Sequence, residues 1–314
     1  MRRAVVAFAA VLSLALVAGC GAGGDSGGGA KSGEKVQVAA TISVIQDMVQ
    51  QVGGDRVEAF SIVPVGGSPE TFQPSPHDAG RISQARVVFE NGLGLDSWVG
   101  DLVESAGNEE QTVVELSEGL EPLEDEEHGE ERAGETSEEE HAEGNPHLWL
   151  DVANAQRYVE RIRDTLVEVD PDGAEEYEAN AEKYLAELGK LDNYIKEKAD
   201  GIPKERRKLV TLHDAFPYFA KAYGFELVAV ILENPEAEPS SREMTEVVRK
   251  IEEEEVPAVF TEPQFNVKLA NTIAQEADVK VRELYTDTLV DDEAGNTYEA
   301  MMRTNIDRIS EALG

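Results

Sequence analysis

Residues 170–203 read DPDGAEEYEANAEKYLAELGKLDNYIKEKADGIP, the most regular segment of the chain. Tyr177, Ala181, Tyr184, Leu188, Leu191 and Ile195 recur in steps of four and three, which lines them along one face of a helix. Asp170 followed by Pro171 is a start signal, a capping side chain ahead of a proline at the first helical position. Gly201 and Pro203 end it. About 29 residues at a 1.5 Å rise predict a rod of ~43 Å, long enough to run the length of a two-lobe molecule. The apolar seam lasts only about three heptads and contains Ala and Tyr, so a connecting helix is favoured over a coiled-coil dimer.

On both sides of this segment the hydrophobic pattern alternates strand and helix. Val36–Ala40, Val57–Val63, Arg86–Glu90 and Thr112–Leu116 read as strands, with helices near Ser43–Val52, Ala79–Gln84 and Leu95–Ala106. A second series runs through Lys208–Leu212, Glu226–Leu232, Ala258–Thr261 and Lys280–Leu284. Its helices fall near Phe216–Tyr223, Ser241–Glu254, Val267–Glu276 and Thr297–Leu313. Alternating βα units imply mainly parallel sheets covered on both faces. The fold class expected is α/β: two lobes (35–169 and 202–314), each with a four-stranded sheet, joined by one long helix over 170–201.

The 314 residues carry 64 acidic against 28 basic side chains, a formal net charge of −36. A nucleic acid would be repelled by such a surface, so nucleic-acid binding is excluded. The one cysteine rules out a disulfide scaffold and cysteine-rich zinc modules. It stands at Cys20, after Arg2, Arg3 and an apolar run from Ala4 to Ala18 that closes Leu16-Val17-Ala18-Gly19. The pattern looks like a bacterial lipoprotein signal: residues 1–19 cleaved, Cys20 lipidated, and residues 20–34 a Gly/Ser tether. The expected location is extracytoplasmic, lipid-anchored at a bacterial membrane.

Between Glu115 and Gly144 there are fourteen acidic residues and one basic, with His128 and His141 among them. Such a run cannot bury a core; 117–144 is expected as a solvated loop, a spacer or a weak collector of cations. Beyond it, His147 immediately precedes a helix that Asp151 can cap. His213 follows the first strand of the second lobe, and Asp287 follows the last. All three fall at the carboxyl ends of strands, where open α/β sheets bind ligands. Two imidazoles and a carboxylate converging between lobes suit a first-row divalent metal.

The order of Gly92-Leu93-Gly94-Leu95-Asp96-Ser97-Trp98, Pro146-His147-Leu148-Trp149-Leu150-Asp151, His213-Asp214-Ala215-Phe216-Pro217-Tyr218-Phe219, Thr261-Glu262-Pro263-Gln264-Phe265 and the closing Tyr298, Met302 and Asn305 resembles one family. It is the metal-binding receptors of bacterial zinc and manganese ABC importers, the cluster A-I solute-binding proteins. The resemblance implies two α/β lobes joined by a long helix, a metal between them and an ABC permease as partner. The family's first ligand is usually the histidine of an Asp/Ser-Pro-His-x-Tyr/Phe segment. Here the segment reads Ser68-Pro69-Glu70-Thr71-Phe72, with Glu70 in that place and His77 seven residues on. Retained spacing favours Glu70, with His77 as the alternative. The resemblance therefore implies Glu70, His147, His213 and Asp287 as metal ligands in a monomeric receptor. Histidine at 213 and the acidic insertion favour zinc; two carboxylates also admit manganese or iron. A metallohydrolase using Glu262 as base and a surface adhesin are the readings from other classes. The chain has no phosphate loop and no serine or cysteine nucleophile motif to favour an enzyme.

Overall fold

The computed structural model describes residues 35–108, 110–123, 144–232 and 239–314. The lipidation site Cys20 and the loop histidines His128 and His141 lie outside the described residues.

Strands β1 (Val36–Ala40), β2 (Val57–Ser61), β3 (Val87–Glu90) and β4 (Thr112–Glu115) form the first sheet in the order β2-β1-β3-β4, every pair parallel. Helices α1 (Ser43–Gly53), α2 (Pro76–Ile82) and α3 (Val99–Ala106) connect them. The second sheet repeats this order as β6-β5-β7-β8, again all parallel, from β5 (Lys208–His213), β6 (Glu226–Leu232), β7 (Ala258–Thr261) and β8 (Lys280–Glu283). Its helices are α6 (Pro217–Tyr223), α7 (Ser241–Glu253), α8 (Lys268–Glu276) and α9 (Tyr298–Leu313). The central strands are apolar on both faces because helices cover both: Val87, Val88 and Phe89 of β3 are fully buried, as is all of β7.

Two helices stand between the sheets, α4 (Val152–Val169) and α5 (Ala174–Asp200). Asp151 caps α4 by accepting from the Ala153 amide at 2.9 Å, as its position suggested. The start of α5 differs from the expectation. Pro171–Gly173 forms a 3₁₀ turn, and the Asp170 carboxylate caps nothing. Its Oδ2 accepts instead from Arg56 (Nη2 at 2.8 Å) and from the Tyr177 hydroxyl at 2.7 Å. A charged guanidinium outcompetes a backbone amide for that oxygen. Glycine is required at 173, where a Cβ would lie 2.4 Å from Arg56 Nε and 2.8 Å from Asp170 Oδ2.

The face of α5 carrying Tyr177, Ala181, Tyr184, Leu188, Leu191 and Ile195 is buried, packed on α1 and α4 of one lobe and α9 of the other. One apolar cluster runs from Val38 and Phe89 through this face to Phe219 and Ile309, so the two lobes share an inner core. Fully buried Leu188, Leu191 and Ile195 each contribute about 1.5–3 kcal/mol of burial. The shared core holds the carboxyl ends of both sheets toward one another.

Candidate metal centre

His213 is the last residue of β5, a strand interior to its sheet, and is buried. Glu262 follows β7, the neighbouring strand. The register that pairs Thr211 with Phe260 carries forward to bring His213 beside Glu262. His213 Nδ1 donates to Glu262 Oε2 at 2.5 Å. His147 sits in the turn ahead of α4, also buried, with Nδ1 3.1 Å from the side-chain oxygen of Asn145. Asn145 is itself fixed by donating through Nδ2 to the Asp214 carbonyl at 2.7 Å, across the lobe boundary.

Both histidines thus spend Nδ1 on an oxygen acceptor, which places a proton there and turns each Nε2 toward the other as the nitrogen an ion would take. The two Nε2 atoms are 3.4 Å apart. Asp287, on the loop after β8, lies with Oδ1 3.4 Å from His147 Nε2 and Oδ2 3.8 Å from His213 Nε2. Glu70, on the loop after β2, brings Oε1 to 3.8 Å from His147 Nε2. Asp287 Oδ1 and Glu70 Oε2 are buried and accept no hydrogen bond. Among the described residues, one group of histidine, cysteine and acidic side chains is close enough to share an ion: Glu70, His147 and His213, their ligand atoms within 4.8 Å of one another. Asp287 adjoins both of its histidines. Four donors around one ion at 2.0–2.1 Å have tetrahedral edges of about 3.3–3.4 Å, close to the spacings seen here.

The electrostatics call for positive charge at this point. Burial works against a charged imidazole at His213, yet Glu262, Asp287 and Glu70 outweigh it and push its pKa up to about 10. Desolvation raises Glu70, while the histidines hold Asp287 below the usual carboxylate range despite complete burial. Protons occupy positions that a divalent cation can take.

Of the residues singled out in the sequence, Glu70, His147, His213 and Asp287 come together. His77 does not; it is exposed on the first turn of α2. The sequence assigns no role to Asn145, and Glu262 enters there only as the base of a hydrolase. Their signal was adjacency: Asn145 two residues before one histidine, Glu262 at the end of a strand next to the other.

The lobes meet around these donors. Trp149 Nε1 donates to the Thr286 carbonyl at 3.1 Å, and the Tyr298 hydroxyl to the Trp149 carbonyl at 2.6 Å. The Leu289 amide donates to Ser43 Oγ at 2.8 Å, and the Gly66 amide to Thr288 Oγ1 at 3.0 Å.

The profile of the family described as zinc-uptake complex component A, periplasmic, matches residues 38–312. The chain is 35% identical over 316 residues to the manganese-binding lipoprotein MntA of Halalkalibacterium halodurans, covering 100% of this chain and 99% of that one. It is 32% identical over 309 residues to a manganese ABC transporter substrate-binding lipoprotein, PsaA, of Streptococcus anginosus, with 96% of each chain covered. The periplasmic zinc binding protein TroA of Treponema pallidum superposes with a TM-score of 0.77 at 30% identity, covering 90% of this chain and 100% of that one. Two parallel four-stranded sheets, a long helix between them and a buried His/carboxylate cluster where they meet accord with these likenesses: the chain belongs to the family of metal-binding substrate receptors of zinc and manganese ABC importers.

Proposed function

We propose that this receptor captures one manganese ion between its lobes, with His147 Nε2, His213 Nε2, Asp287 and Glu70 as ligands, and hands it to an ABC permease. The observation that carries the reading is the pair of buried Nε2 atoms 3.4 Å apart, flanked by two carboxylates with unpartnered oxygens. Two imidazoles and two carboxylates cancel a 2+ charge, and oxygen-rich donors suit manganese better than the three-imidazole sets usual in zinc receptors. The names of the relatives point the same way. Zinc, favoured from the sequence, fits the same donors and binds them more tightly at equilibrium, as the divalent series dictates. Cargo is therefore decided by supply and release as well as by affinity.

A receptor accounts for the cluster better than a hydrolase. Glu262, the candidate base, stands behind His213, with Oε2 held by Nδ1 on the side of the ring away from the Nε2 that faces the other donors. Anchoring through lipidated Cys20 places the receptor on the outer face of a membrane, consistent with the lipoprotein relatives. Among the described residues, no helix is long and apolar enough to cross a bilayer.

The test is elemental analysis of full-length protein isolated without chelator from cells supplied equally with both metals. One manganese per chain supports the proposal. Zinc alone makes zinc the cargo, and no bound metal overturns the reading.

A further inference from the structure

His147 precedes the helices between the sheets and belongs by sequence to the N-terminal lobe, yet the chain on both sides of it is fastened to the other lobe. Before it stands Asn145, which is buried. Asn145 Nδ2 donates to the Asp214 carbonyl at 2.7 Å and lies 3.3 Å from Asp214 Oδ2. Asn145 Oδ1 accepts from the His147 backbone amide at 3.1 Å. A carbonyl can only accept and an amide N–H can only donate, so these contacts leave one way for the Asn145 side chain to lie. His147 Nδ1, 3.1 Å from the same Oδ1, is therefore a donor. The backbone of Asn145 is held as well. The Tyr218 hydroxyl, on α6, donates to its carbonyl at 2.7 Å and accepts from the Leu123 amide at 2.9 Å. After His147, Trp149 is bonded to the C-terminal lobe twice, through Thr286 and Tyr298. On the N-terminal side, Asn91 Nδ2 holds the Pro146 carbonyl at 2.9 Å.

We propose that Asn145 is a positioning residue through which the C-terminal lobe, by way of Asp214 and Tyr218, aims His147 Nε2 at the ion. The inference rests on the metal-receptor reading above. Asn145 works through the ring of His147 and touches no ion itself; Tyr218 acts one bond further back. His147 is then referenced to the same lobe as His213 and Asp287, three of the four donors. An outer partner that fixes the far nitrogen of a ligating histidine fixes both the protonated side of the ring and its direction.

The test uses the full chain carrying Asn145→Ala or Tyr218→Phe, each alone and each combined with His147→Ala. Affinity for Zn²⁺ is measured by competition with a chelator. Asn145→Ala is expected to weaken binding by about tenfold, the lower end of what outer partners contribute. Tyr218→Phe should weaken it by about fivefold, as for the loss of one hydrogen bond. With His147 already removed, either change should cost less than about twofold, because its effect runs through that ring. Nitrogen NMR of the Zn²⁺-loaded protein gives a second readout, one that a general loosening of the lobes would not single out. The His147 Nδ1–H should be protected from exchange with water in the unaltered protein and should exchange freely in Asn145→Ala. Unchanged affinity in both variants, or equal losses with and without His147, overturns the proposal and leaves the receptor reading standing. If Asn145→Ala fails to fold, Tyr218→Phe with and without His147→Ala decides the matter. Failure of the unaltered protein to bind either Zn²⁺ or Mn²⁺ overturns both.

Discussion

His213 and Asp287, from the C-terminal lobe, are both buried and both held from behind, one by Glu262 and the other by Gln264. The N-terminal lobe supplies its half differently. His147 is backed by Asn145, but the side chain of Glu70 is 22% exposed and, among the described residues, its buried Oε2 has no hydrogen-bonding partner. The two sheets share one strand order, so topology does not cause the contrast. It arises from where each donor sits: His213 closes a strand interior to its sheet, whereas Glu70 rides a loop between β2 and α2. One half of the centre is preformed and the other adaptable. Preorganised donors give affinity, and an adaptable carboxylate lets ions of different coordination number be accommodated.

The largest effect is expected from His213→Ala, which removes a donor from the rigid half. Sharing about 10–16 kcal/mol of metal binding among four donors gives about 2.5–4 kcal/mol for one, a loss of about two to three orders of magnitude in affinity. Competitive chelator titration measures it; retained full affinity would break the assignment of His213.

Next comes pH. In the ion-free protein the surrounding carboxylates raise His213 from an ordinary 6.5 to about 10, so an entering ion must displace a proton. Apparent affinity should rise by about tenfold per pH unit for each proton displaced. Calorimetry in buffers of differing ionisation enthalpy reads the proton release directly. The sign for stability is opposite. Charged His213 supports the ion-free fold fully below about pH 6.5, and this contribution is lost as pH rises toward 10. Melting of ion-free protein should therefore show a decline across that window that ion-loaded protein lacks.

Glu262→Gln keeps the shape behind His213 but removes the charge. An outer partner of this kind costs about 10–100-fold in affinity. Glu70→Ala should cost less, about tenfold, because water can take the vacated position on the exposed side. A greater loss for Glu70→Ala than for Glu262→Gln would invert the division into rigid and adaptable halves. Smallest of all is His77→Ala, within about 0.5 kcal/mol in affinity and stability as for an ordinary surface substitution.

Much of the fold was legible because burial imposes a period on the sequence. Glu226–Leu232 and Ala258–Thr261 end where their apolar runs end, and the buried face of α5 is the one its spacing marks. The start of α5 was not legible. Asp170 looks like a cap until Arg56, 114 residues away in the chain, takes its carboxylate. The same limit holds at the centre. His147, His213 and Asp287 announce themselves by following strands or preceding a helix. Glu70 and His77 share a loop without periodicity, and only its path in space brings Glu70 inward and leaves His77 outside. Glu262 meets His213 through strand order, β7 beside β5, which a linear reading cannot supply.

The 27 residues of α5 cross from lobe to lobe without interruption, flanked by a core that belongs to both. A helix of this kind curves gently and does not fold at a point, and it contains no proline at which to kink. A wide swing of the lobes would disrupt the shared core, so under the proposed assignment an ion is expected to leave by a local movement at the site. Residence time would then be a property of the Glu70 loop. Under that assignment, substitutions in the Glu70 loop are expected to change how long an ion stays before they change how many ions are held.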